Sequence, residues 1–120
     1  MKAFIALHTP KPLRALVRLY PNLPHVCGVE WPGCSEVALS IARALERMDF
    51  LEDEPSVVQG WFLGGEDNYH WWTEARVAGK IWIVDGAHRQ FQFVSPWTNA
   101  DLVIVPKTGS SGIYSQKITS

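Results

Sequence analysis

The sequence predicts an α+β domain in which N-terminal helices pack on an antiparallel β-sheet. Three observations carry that expectation. Residues 34–48 place apolar side chains at helical spacing, with charged residues between them. From Val57 onward the pattern changes to a period of two and recurs in short runs. Helical segments come first and strands follow, which is the order of an α+β chain rather than of alternating βαβ units.

Taken in order, residues 2–7 form a short apolar run that reads as a strand. Thr9 then Pro10 read as an N-cap and first helical residue, because proline loses nothing there by lacking a donor. Leu13, Leu16, Val17 and Tyr20 follow at helical spacing, and Pro21 ends that helix. Pro21, Pro24, Gly28, Pro32 and Gly33 make the next stretch a loop. The second helix runs from about Cys34 to Met48, with Val37, Leu39, Ile41, Ala42, Leu45 and Met48 on its apolar side. An acidic turn over 49–55 leads to strands at 57–63, 69–77, 80–84, 90–94 and 101–105. Residues 107–120 are rich in Ser, Gly and Thr and read as a mobile tail or, at most, an edge strand.

Composition bounds the function. A chain of 120 residues fits one domain spanning 1–120. A domain of that size buries about two-thirds of its unfolded surface and needs no staples. The 47% hydrophobic and 12% aromatic content excludes a disordered chain. A net charge of -1 without a dense Lys/Arg run gives no basis for binding nucleic acid. No apolar stretch is long enough to span a bilayer. The patch at 3–7 is too short for a signal-peptide core, so a cytoplasmic protein is expected. Cys27 and Cys34 are the two cysteines, too few for a secreted disulfide framework.

The chemistry centres on Cys34. It follows Gly33 and opens the amphipathic helix, where the helix dipole and unpaired amide donors favour a thiolate. Such donors also suit the oxyanion of a tetrahedral intermediate, and Gly33 has no side chain to keep a substrate away. His70 lies in the strand-like run Tyr69-His70-Trp71-Trp72-Thr73-Glu74, sharing a face with Trp72, Glu74 and Arg76. A two-residue turn at Ala78-Gly79 pairs Val77 with Lys80, Glu74 with Ile83 and Trp72 with Asp85. Asp85 then lies diagonally from His70 on the same face, at roughly 7–8 Å between backbones. In this scheme His70 takes the thiol proton and Asp85 orients the ring. Trp31, Trp72 and Gln59 are further candidates near the substrate or oxyanion, with Trp72 walling the cleft.

These residues are similar to a known family. Gly33-Cys34-Ser35-Glu36-Val37-Ala38-Leu39 resembles the start of the nucleophile helix in transglutaminase-like cysteine enzymes of the wider papain-like group. His70-Trp71-Trp72-Thr73-Glu74-Ala75 resembles their histidine strand, and Trp82-Ile83-Val84-Asp85 their aspartate strand, with Gln90-Phe91 in its tail. The resemblance runs from Gly33 to Phe91, about half the chain. Gly86 and Ala87 stand where that family often has Pro-Thr, and nothing matches the calcium sites of the large cross-linking members. What the resemblance implies is a Cys34-His70-Asp85 triad, a transglutaminase-like or papain-like core and acyl transfer through a thioester. The substrate would be a protein or peptide amide, and no cofactor is needed. Peptidase, amidase, deamidase and transglutaminase chemistry all fit.

Two rival readings stand beside this one. His25, Cys27 and Cys34, completed by His70 or His88, offer metal-ligand chemistry, but they lack the paired close spacing of structural zinc sites, so no metal is expected. The other is a non-catalytic protein-binding module with a degenerate transglutaminase-like fold, for which Cys34 need not be reactive.

Overall fold

The structure, a computed structural model, describes residues 3–19, 33–63, 69–87, 97, 100–109 and 113–116. The expected strand at 90–94, most of the Pro/Gly loop, His25, Cys27, Trp31 and His88 lie outside these residues. Among the described residues, two helices and six strands follow in the order β1 (Ala3–Ile5), α1 (Lys11–Leu19), α2 (Cys34–Met48), β2 (Ser56–Phe62), β3 (Tyr69–Val77), β4 (Lys80–Asp85), β5 (Leu102–Pro106) and β6 (Tyr114–Gln116). The strands form one mixed sheet in the order β1-β5-β4-β3-β2-β6.

The helices begin and end where local chemistry dictates. α1 starts one residue later than Thr9-Pro10 suggests. The Thr9 hydroxyl donates to the Ala6 carbonyl at 2.5 Å and closes the preceding turn, in which His8 has a positive φ of 66°. The Pro10 carbonyl instead accepts the first helical bond, from the Arg14 amide at 3.1 Å. Pro12 therefore sits in the first turn, where no donor is needed. α2 spans the residues its periodicity marks and stops at Asp49, which takes the left-handed conformation. Val37, Ile41, Ala44 and Leu45 form its buried stripe. Leu39 is off that stripe and 44% exposed, because a step of two residues turns a side chain about 200° around a helix.

The sheet is mixed rather than purely antiparallel. β1 pairs parallel with β5, matching Ala3 with Leu102 and Ile5 with Ile104. The remaining ladders are antiparallel. Parallel pairing needs a long crossover, and both helices and three strands lie between these two partners.

Each face of the sheet carries a core. On one face Leu13, Leu16, Val37, Ile41 and Leu45 of the helices meet Ala75, Trp82, Val84, Leu102 and Ile104. On the other, Val58, Phe62, Trp72, Ile83, Val103, Val105 and Tyr114 pack together. Burial on both faces explains why β5 is a continuous apolar run instead of an alternating one.

Two contacts fix α2 against the sheet near its start. The Thr73 hydroxyl donates to the Ala38 carbonyl at 2.6 Å across the helix–sheet interface. Gly86, just beyond β4, lies so close beneath α2 that a Cβ there would fall 2.8 Å from Ile41 Cδ1 and 2.9 Å from Val37 Cγ1. Both neighbours are buried and have little room to yield. Gly86→Ala is therefore expected to lift α2 and destabilise the fold by about 1–3 kcal/mol. Thermal denaturation checks the cost; a Tm equal to that of the wild type would mean that the interface has slack.

Candidate active site

Cys34 is the first residue of α2 and is half-buried, so it is not a core hydrophobe. Gly33 is the N-cap and makes no side-chain capping bond; its carbonyl accepts the first ladder bond, from the Val37 amide at 3.1 Å. The first-turn amides lie outside the helix's own ladder, as at any helix start. Gly33 has a φ of -65°, which any residue can adopt, and an added Cβ would come no nearer than 4.0 Å to its surroundings. Backbone strain is thus not the reason for a glycine here. Among the described residues, nothing crowds the position beside the thiol where a side chain would stand.

The hairpin that brings His70 and Asp85 together has the expected register. Ala78 and Gly79 both have positive φ, at 52° and 77°, as a tight two-residue turn requires. Val77 pairs with Lys80 and Glu74 with Ile83, but the β3–β4 ladder ends at Thr73 and Val84. Beyond that pair β3 continues along β2, through Gly60 opposite His70 to Trp61 opposite Tyr69. His70 and Asp85 therefore stand just past the last β3–β4 pair. Their side chains meet there, His70 Nε2 lying 2.9 Å from Asp85 Oδ2. Both side chains are fully buried.

Asp85 is held on both oxygens. Oδ1 accepts the Ala87 amide at 3.0 Å, a local turn of the kind an Asp-Gly pair favours. Oδ2 accepts the Tyr114 hydroxyl at 2.7 Å as well as the His70 ring nitrogen. Phe62, Trp72 and Tyr114 surround the imidazole, with ring centroids 6.0, 6.1 and 6.5 Å from it. Gly60, the β2 residue opposite His70, contributes no side chain to this cluster. Among the described residues no buried side-chain nitrogen or oxygen lacks a partner.

The electrostatics favour a charged imidazole. Burial pulls the His70 pKa down, but the Asp85 charge and hydrogen bond outweigh it, and the hydrogen bond and charge of Cys34 add to them. The balance raises His70 from 6.5 to about 9. With Nε2 given to Asp85, Nδ1 is the ring nitrogen left for the thiol. Burial first, then the Asp85 charge and hydrogen bond, push Tyr114 well above its ordinary 10.0, so its phenol stays protonated.

The raised histidine has a consequence for stability. Between pH 6.5 and about 9 the folded chain holds a proton that the unfolded chain has released. Stability is then complete below 6.5 and falls as pH rises through 9. The full loss is on the order of 3 kcal/mol from this one group. Urea denaturation of Cys34→Ala from pH 6 to 10, in which no thiol proton offsets that of the imidazole, should show the decline, and adding His70→Gln should flatten it; a Cys34→Ala midpoint constant across that range would contradict the charged imidazole.

The other sequence candidates fall elsewhere. Trp72 does share the His70 face, but it does not wall an open cleft. It is 1% exposed in the second core, and its indole donates to Glu74 Oε2 at 3.0 Å. Gln59 pairs with Trp71 and so lies on the opposite face of the sheet from His70. Of the proposed metal ligands only Cys34 and His70 are described, and no group of three His, Cys, Asp or Glu side chains is gathered among the described residues. No helix among them is long and apolar enough to cross a membrane.

Sequence reasoning missed Tyr114. It belongs to β6, inside the stretch read as a tail or edge strand, and β6 does form the sheet edge beside β2. The available signal was Ile113-Tyr114, an apolar pair isolated in a polar tail, which has no reason to be there unless it is buried.

No family model matches the sequence, and no curated protein does. Among solved structures, the C-terminal region of Pasteurella multocida toxin, described as having a thiol-protease-like catalytic triad, is similar. The identity is 17% and the TM-score 0.48, over 95% of this chain and 19% of that one. This chain thus spans about a fifth of the length of the chain it resembles.

Proposed function

We propose that this protein is a cysteine-dependent acyl-transfer enzyme, with Cys34 as nucleophile, His70 as acid and base, and Asp85 as the residue that orients His70. The observation that carries the proposal is the buried His70–Asp85 pair: Asp85 holds Nε2 at 2.9 Å from the end of β4, and the thiol at the start of α2 is among the groups that raise the His70 pKa. A buried imidazolium between a carboxylate and a thiol is the arrangement in which a thiolate is available at neutral pH. On this view α2 is a nucleophile helix and the whole is a transglutaminase-like or papain-like core.

The steps balance on these residues alone. The Cys34 thiolate attacks the amide carbon, forming the C–S bond and sending the carbonyl π electrons to oxygen. Amide donors at the start of α2 hold that oxyanion in this scheme. The intermediate collapses as His70 gives its proton to the departing amine, leaving a thioester and a neutral imidazole. The imidazole then takes a proton from the incoming water or amine, which attacks the thioester and releases the Cys34 thiolate. Water as acceptor gives hydrolysis or deamidation, and an amine gives cross-linking. A protein or peptide amide is the substrate this chemistry serves.

An electrophilic thiol probe tests the assignment. Mass spectrometry after incubation with iodoacetamide at pH 6 to 7 should find Cys34 modified well before Cys27. His70→Ala should slow that modification. A Cys34 no more reactive than Cys27 would favour a non-catalytic binding module.

A further inference from the structure

We propose that Tyr114 is a positioning residue of this site: its phenol locks the Asp85 carboxylate on the oxygen that holds His70, so edge strand β6 completes the site. The inference rests on the function proposed above and extends it to a residue 29 positions beyond Asp85 in the chain. Asp85 Oδ2 accepts from two donors, His70 Nε2 at 2.9 Å and the Tyr114 hydroxyl at 2.7 Å. Together with the Ala87 amide on Oδ1, three donors on three different segments fix the carboxylate plane. With the phenol removed, the carboxylate loses one of these anchors and keeps more freedom to turn about its own bond.

A purely packing role does not account for the hydroxyl. The Tyr114 ring lies among Phe62, Trp72 and Trp97, at centroid distances of 5.3, 5.1 and 6.0 Å. A phenylalanine would fill that space and avoid burying a polar atom. The hydroxyl instead meets a carboxylate at the distance of a charge-assisted bond, about twice as strong as a neutral one. β6 holds the ring in place by pairing Phe62 with Tyr114 and Gly60 with Gln116.

Among the described residues, titratable groups face His70 from three elements. Asp85 faces it from β4, Tyr114 from β6 and Cys34 from α2. Its β2 and β3 neighbours Phe62 and Trp72 carry no charge, and Glu74, further along β3, is paired with Lys107 at 3.0 Å. Loss of the phenol therefore acts on His70 through Asp85. An Oδ2 no longer shared offers its charge to the imidazole alone, which strengthens the hold on the proton.

The test is Tyr114→Phe, read by the His70 ring-nitrogen NMR titration. The midpoint should move upward from that of the wild type, and Cys34 modification by iodoacetamide should slow by about 10- to 100-fold as the ring loses its fixed pose. A folded Tyr114→Phe with a His70 midpoint equal to or below that of the wild type overturns the proposal. Should the variant fail to fold, the wild type decides. Its Tyr114 hydroxyl proton should be a slowly exchanging downfield resonance with a cross-peak to the His70 ring, and a rapidly exchanging hydroxyl overturns the proposal. An unreactive Cys34 in the wild type would sink the enzymatic function alone, since the His70 titration does not depend on it.

Discussion

Replacing Cys34 with alanine is expected to abolish acyl transfer while leaving the fold in place. Without the sulfur there is no thioester, and the rate should fall by at least about four orders of magnitude. The structural cost is small because Cys34 is only half-buried and because the cap and first ladder bond of α2 belong to Gly33 and Val37. About 1 kcal/mol is the scale for such a site. Cys27→Ala should keep most of the activity, since the sequence places Cys27 in a proline-bounded loop with only His25 close by. The check pairs far-UV circular dichroism and urea denaturation with a turnover assay on a peptide amide. Unfolding of Cys34→Ala, with probe labelling on Cys27, would make Cys34 a structural residue and reject the triad.

Asp85→Asn should damage both activity and stability. The carboxylate receives three donors: His70 Nε2, the Tyr114 hydroxyl and the Ala87 amide. An asparagine has one acceptor oxygen in place of two, and its amide group turned toward either side opposes a donor. It also removes the negative charge that offsets the burial of His70, so the imidazole pKa drops and the ring rests neutral at pH 7. Breaking a buried pair by removing one partner costs about 3–5 kcal/mol. That is a large share of the roughly 5–15 kcal/mol that holds a domain together. Loss of the orienting charge from a triad lowers turnover by about four orders of magnitude. Assays at low temperature, where the variant stays folded, separate the two effects. A folded Asp85→Asn with wild-type turnover would remove Asp85 from the mechanism.

Much of this site is legible in the sequence because its parts are local. Cys34 can be placed at a helix start because Gly33 precedes an apolar pattern whose period is set by the helix itself. His70 and Asp85 can be placed on one face because a two-residue turn fixes hairpin parity, and a shift of one residue would have separated them. Leu39 and Thr9 show where local rules mislead. Leu39 is apolar but lies off the buried stripe, and the Thr9 hydroxyl finds the Ala6 carbonyl before it can cap α1.

The sequence by itself determined the α+β class, the extent of α2, the β3–β4 hairpin and the shared face of His70 and Asp85. Each depends on a repeat or turn spanning fewer than about twenty residues, where backbone geometry dictates which side chains become neighbours. Only the tertiary structure decided the parallel pairing of β1 with β5, the burial of Trp72 and the arrival of Tyr114 at Asp85. Those features depend on which distant segments pair, and periodicity records only that a strand has a buried face. Tyr114 was hidden for that reason: nothing in a polar tail states which carboxylate its one phenol will meet once β6 closes against β2.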